Sequence, residues 1–229
     1  MVSIRPAERG IQYTQPVETF DRKGDPIFVE DMDGSLATLD FVCAGTGKIE
    51  QSGEYALQGS RCLKFITATA IGNYATMRRY QTYQNLSKHG TEISFTYTSG
   101  FTNYEFSIEL YEVDWYTKWG FRIVYIAGAD VGLSIYDVDG NWTPVATDVS
   151  LKEADYIFNT IKFVVDFRTK KYVRAMVAYR DFDVAIHGGE SYSSPGETPY
   201  MLINNIVRNR LAASSECWMD RFVITQKEP

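Results

Sequence analysis

Thr91-Glu92-Ile93-Ser94-Phe95-Thr96-Tyr97-Thr98 alternates strictly, with Ile93, Phe95 and Tyr97 on one side and the hydroxyl-bearing residues on the other. Successive side chains of an extended chain point to opposite faces, so a period of two predicts a strand with one face buried. Phe106-Ser107-Ile108-Glu109-Leu110 repeats the pattern, followed by Gly120–Ile126, Gly132–Tyr136 and a short strand opened by Trp142. Asp139-Gly140 supplies a hairpin turn, because both residues tolerate positive φ. Thr160–Asp166 and Lys171–Val177 read as a second hairpin around Arg168-Thr169-Lys170. Asp181–Ile186, Tyr200–Arg208 and Trp218–Ile224 complete the set. Helix signals are few: Ser150-Leu151-Lys152-Glu153-Ala154 has the spacing of one capped turn. The pattern predicts an all-β chain folded as a two-sheet antiparallel sandwich.

Composition bounds the function. The chain has 229 residues, 23 basic against 29 acidic, and a formal charge of −6. An acidic balance argues against a general nucleic-acid binder, which needs a basic footprint to neutralise phosphates. No apolar run approaches the ~18 residues of a membrane-spanning helix. The first ten residues hold no apolar core of a secretory signal. The expectation is therefore a cytoplasmic protein if Met1 is the native start, and a secreted one otherwise. Cys43, Cys62 and Cys217 lack any C-x-x-C spacing and read as reduced, mostly buried thiols. No glycine-rich phosphate loop occurs. The expected organisation is an arm or edge strand over 1–26 and one sandwich domain over 27–229, with a long surface loop at 188–197.

Three segments carry a family resemblance. Phe28-Val29-Glu30-Asp31-Met32-Asp33-Gly34 looks like the acidic opening strand of many jelly rolls. Gly53-Glu54-Tyr55-Ala56-Leu57-Gln58-Gly59-Ser60-Arg61-Cys62-Leu63-Lys64-Phe65 looks like their A-x-x-G-S-x-x-L strand. Asn159–Val173 looks like their W-x-T-I-x-x-x-x-D…K-Y hairpin, with Phe158 or Asn159 where tryptophan is common. Together they resemble the concanavalin A-like lectin/glucanase superfamily, in its laminin-G-like branch. The resemblance implies a jelly-roll β-sandwich and leaves function open, since lectins, hydrolases, lyases and non-catalytic modules share the fold.

The resemblance also implies a structural calcium ion between the opening and last strands, with Asp31, Asp33 and Asp220 as ligands. Calcium takes six to eight oxygens, so a few carboxylates with backbone carbonyls suffice. Related glucanases carry E-x-D-x-x-E; Glu112-Val113-Asp114-Trp115-Tyr116-Thr117 begins that way but ends in a threonine, which cannot serve as the acid. No catalytic residue is assigned. Tyr111, Trp115, Tyr116 and Trp119 cluster near Arg122, and the segment 115–119 reads as a hairpin tip. Flat aromatic faces stack on the C–H faces of sugars, so these five residues are the expected ligand contacts. Tyr74, Tyr80 and Tyr83 with Arg78 and Arg79 form a second aromatic run, in which Tyr74–Tyr80 reads as a strand with a polar outer face and, alternatively, as one wall of a concave groove. The expected function is a non-catalytic carbohydrate-binding or carbohydrate-associated domain with an oligo- or polysaccharide partner and no nucleic-acid or membrane partner. The rivals are a glycoside hydrolase or polysaccharide lyase with a non-standard acid pair, and a protein-interaction module. A homo-oligomer is compatible with each.

Overall fold

The computed structural model describes residues 23–57, 59–82, 87–97, 103–124, 132–149, 151, 157–178, 180–196 and 198–229. In chain order the strands are β1 (Asp25–Glu30), β2 (Asp40–Cys43), β3 (Lys48–Ser52), β4 (Cys62–Ile66), β5 (Tyr74–Gln81) and β6 (Lys88–Tyr97). Then come β7 (Asn103–Tyr111), β8 (Trp115–Val124), β9 (Gly132–Tyr136), β10 (Trp142–Ala146) and β11 (Asn159–Asp166). The series ends with β12 (Lys171–Val177), β13 (Arg180–Phe182), β14 (Glu190–Ser193), β15 (Tyr200–Arg208) and β16 (Glu216–Gln226).

These strands form two antiparallel sheets. The first runs β13-β12-β11-β6-β16-β4-β3, with β1 also on β16. The second runs β10-β9-β8-β7-β15-β5-β2, with β14 also on β8. Ile93, Phe95 and Tyr97 turn inward from the first sheet, as the alternation predicts, and Tyr104, Phe106, Ile108 and Leu110 meet them from the second. Rings lock the layers together: Phe95 stacks on Tyr104 with centroids 4.9 Å apart, and Phe163 meets Phe106 at 5.0 Å and Phe121 at 5.9 Å. Such pairs add to area burial through their offset and edge-to-face geometry.

One irregularity matters for reading the sequence. The β16–β6 register shifts between Met219 and Arg221, leaving Asp220 as an extra residue. An inserted residue inverts the face parity of a strand. Hence Cys217 and Met219 before the bulge, and Phe222 and Ile224 after it, all reach the core.

Most predicted strands are present, and both predicted turns close as expected. Asp137 Oδ1 accepts from the N–H groups of Asp139 and Asn141, with Gly140 at φ 76°. Asp166 Oδ1 accepts from Arg168 and Thr169. Two expectations are corrected. Residues 115–119 are the start of β8, not a hairpin tip; the turn lies before them, where Glu112 N–H donates to Trp115 O at 2.8 Å. The extended opening segment stops at Glu30, and Met32 at φ 62° turns the chain, so Asp31 and Asp33 lie in a turn. Residues 1–22 of the expected arm, and Ser150 and 152–154 of the expected helical turn, lie outside the described residues.

Candidate functional site

The outer face of the second sheet follows directly from strand parity. On β8, Trp119, Phe121 and Ile123 face the core, so Tyr116, Lys118, Gly120 and Arg122 face outward. On β7 the outward set is Glu105, Ser107, Glu109 and Tyr111; on β15 it is Tyr200, Leu202, Asn204, Ile206 and Arg208. On β5 it is Tyr74, Thr76, Arg78 and Tyr80.

Register turns scattered tyrosines into a row. Tyr200 lies opposite Tyr111, Tyr111 opposite Tyr116, and Tyr116 opposite Tyr192 on β14. Centroid distances are 4.3 Å for Tyr111–Tyr200, 4.8 Å for Tyr111–Tyr116 and 4.7 Å for Tyr116–Tyr192. Tyr80 extends the row, 5.7 Å from Tyr200. The ends are open, with Tyr80 46% and Tyr192 48% exposed, while Tyr116 in the middle is buried. Glu109 runs beneath: Tyr111 donates to its Oε2 at 3.2 Å, and Asn204 Nδ2 donates to its Oε1 at 2.9 Å. Burial first, then the Glu109 charge, raises the Tyr111 and Tyr116 phenols far above their ordinary range. Both stay neutral hydroxyls at any physiological pH.

The other half of the face is polar and cationic. Arg208 Nε pairs with Glu105 at 3.2 Å. The Arg122 guanidinium lies 4.4 Å from the Trp142 ring centroid, a cation–π contact. Gly120 permits this: a Cβ there would fall 2.9 Å from Tyr136 Cβ and 3.0 Å from Trp142 Cη2. Burial lowers the Arg122 pKa, with Arg210 and Arg208 acting in the same direction and Glu105 opposing them.

The five expected ligand contacts are thus divided. Tyr111 and Tyr116 belong to the row, and Arg122 stands on the same face. Trp115 is 53% exposed at the end of β8. Trp119 is corrected: it is fully buried, 5.5 Å from Phe167, with Nε1 donating to Lys170 O at 3.2 Å. Its odd position on β8 points it into the core, out of reach of any ligand. Tyr200, Tyr192 and Tyr80 were not among the expected contacts, although Tyr80 stood in the second aromatic run; Tyr83 of that run lies outside the described residues. Glu112, the start of the incomplete glucanase signature, pairs with Lys170 at the β7–β8 turn. Glu105 and Glu109 instead share the outer face.

The three expected calcium ligands, Asp31, Asp33 and Asp220, each accept backbone N–H groups. Asp33 Oδ1 accepts from Ser60 N–H at 2.8 Å and Arg61 N–H at 2.7 Å. Asp220, fully buried in the β16 bulge, accepts from Leu57 N–H. Asp33 thus holds residues 60–61 and Asp220 holds Leu57, and at Gly59 a Cβ would lie 1.6 Å from Asp33 Oδ2. Asp31 is exposed and closes a local turn, accepting from Asp33 N–H at 3.2 Å. The Asp33 and Asp220 carboxylates are both engaged by backbone N–H donors of the chain. Among the described residues no three His, Cys, Asp or Glu side chains gather into a metal-holding group. Cys43, Cys62 and Cys217 are free thiols, and burial pushes that of Cys62 up to about 11.

No family model matches the sequence, and no curated protein matches it. Solved structures do share its fold. An endo-β-1,4-glucuronan lyase from the fungus Trichoderma reesei superimposes with a TM-score of 0.58 at 7% identity, over 88% of this chain and 95% of that one. The carbohydrate recognition domain of Emp47p gives 0.54 at 9% identity, over 89% and 97%. Peanut lectin gives 0.51 at 9% identity, over 87% and 96%. The chain has the concanavalin A-like jelly-roll fold.

Proposed function

We propose that this protein binds carbohydrate, holding an oligo- or polysaccharide along the outer face of the second sheet without cleaving it. The observation that carries this function is the row of five tyrosines, Tyr80, Tyr200, Tyr111, Tyr116 and Tyr192, spanning five neighbouring strands. Sugar rings present apolar C–H faces and a polar rim. The exposed rings at the two ends of the row, Tyr80 and Tyr192, serve the first, and their hydroxyls serve the second. That solved structures of the same fold include a lectin and a carbohydrate recognition domain supports it. Glycan-array screening of the purified protein, followed by titration of any hit, tests it. Tyr200→Ala is expected to weaken binding about tenfold, the value of one good aromatic contact. Unchanged affinity in Tyr200→Ala and Tyr192→Ala would remove the row from the binding site.

Glu105 and Glu109 support a second reading, cleavage of the glycan. Four residues of strand put their Cα atoms about 13 Å apart. Glycosidase carboxyl groups stand about 5–9.5 Å apart, so these side chains would have to lean together. An assay for new reducing ends or unsaturated products, with Glu109→Gln as control, separates this from binding alone.

Calcium belongs to the same proposal as a structural ion held by Asp33 and Asp220. Saturating calcium is expected to raise the melting temperature relative to chelator, since an ion at 100 times its Kd stabilises the folded state by about 2.7 kcal/mol. Asp220→Asn is expected to abolish the difference.

A further inference from the structure

Beyond the tyrosine row, the same face carries two guanidinium groups that make no ion pair with the described residues. Arg78 and Arg122 form no hydrogen bond or ion pair with the described residues, and the Nε–H of each is buried without an acceptor. A buried donor left unmade is costly, and native structures leave few of them. The acids nearby do not answer them. Glu105, opposite Arg122 across the β7–β8 pair, is bonded to Arg208 and Asn103. Asp40 lies opposite Arg78 at the sheet edge but makes no ion pair with it. Glu109 is occupied by Tyr111 and Asn204. Arg208 and Arg210 add further positive charge near Arg122.

The spacing sets these cations apart from the platform. Arg78 is two residues from Tyr80 on one face of β5, about 7 Å along the strand. Arg122 is six residues from Tyr116 on β8, about 20 Å away. Both anions would fall off the row, one nearer its Tyr80 end and the other well beyond it, a spread that several linked sugars cover and a single sugar does not. The planar guanidinium fork matches a carboxylate in two parallel bonds.

We infer that the glycan is acidic: a polysaccharide of uronate-bearing sugars that crosses the outer face away from the tyrosine row, with its carboxylates received by Arg78 and Arg122. The inference rests on the carbohydrate-binding reading of this face and names its ligand class.

The test is calorimetric titration of the full chain with polygalacturonate, its methyl ester, dextran sulfate and neutral xylan. Binding is expected for polygalacturonate and about tenfold weaker for the ester, the worth of one charge-assisted bond. Arg78→Gln and Arg122→Gln are each expected to lower polygalacturonate affinity by about tenfold or more, with Arg122→Lys only partly restoring it. Thermal melting of each variant confirms that it is folded. Equal affinity for the acid and its ester, or no effect of either arginine variant, overturns the acidic ligand while leaving glycan binding intact. Dextran sulfate binding as tightly as polygalacturonate overturns carboxylate selection in favour of bulk charge. Failure to bind any of the four, together with a silent glycan array, overturns the carbohydrate function itself.

Discussion

The two outer faces of the sandwich handle polar groups in opposite ways. On the first sheet, Glu92, Ser94, Thr96 and Lys162 point away from the core and are still buried. Their charges are met from within. Glu228 folds back beyond β16, with its carboxylate 2.7 Å from Lys162 Nζ and 2.6 Å from Arg174. Gly24 and Gly90 make room, since a Cβ would stand 2.5 and 2.8 Å from Glu228 Oε1. On the second sheet, aromatic rings are half open, and Arg78 and Arg122 form no ion pair with the described residues. The first face pairs Lys162 and Arg174 with Glu228, whereas the second presents half-open rings and the Arg78 and Arg122 guanidinium groups. The proposed binding surface is therefore the second face, although both are built from the same kind of strand.

The largest expected effect lies on the closed face. Glu228→Ala removes the acid shared by Lys162 and Arg174, and breaking a buried pair from one side costs about 3–5 kcal/mol. Urea unfolding measures it, while glycan affinity of the folded fraction stays unchanged. A loss below about 1 kcal/mol would place the pair with ordinary surface bridges and dissolve the contrast. Asn204→Ala, in the middle of the open face, is expected to cost about 1 kcal/mol, since its amide bonds Ser107 and Glu109. Arg78→Gln should alter stability by less than about 0.5 kcal/mol, because no folded-state partner is lost.

A pH titration gives the smallest and most local difference. His89, on β6, is stacked on Phe167 at 4.3 Å, and burial lowers its pKa below the ordinary 6.5 while its bond to Ser87 O opposes the shift. The unfolded chain then binds its proton first, so stability is full above pH 6.5 and falls as pH drops towards the folded value. His89→Phe should flatten that part of the stability profile. An unchanged profile would show that His89 does not contribute to it.

Much of the fold was legible locally. The alternation at 91–98 and 106–110 assigned inner and outer residues correctly, because period two is a property of the extended chain alone. The same rule, carried through β8, already puts Trp119 on the side of Phe121 and Ile123. Treating 115–119 as a turn concealed it. The parity change at Asp220 was not legible, because a bulge exists only against a partner strand. Nor was the platform: Tyr80, Tyr111 and Tyr200 are far apart in sequence, and nothing in one strand states its register with another.

The sequence by itself determined an all-β sandwich and its hairpin turns, since these follow from φ preferences and side-chain alternation over a few residues. Tertiary structure alone decided which tryptophans are buried, which tyrosines touch, and which arginines form no ion pair with the described residues. Those properties depend on what lies across a strand pair or behind a sheet, and such neighbours are set by long-range pairing and core packing.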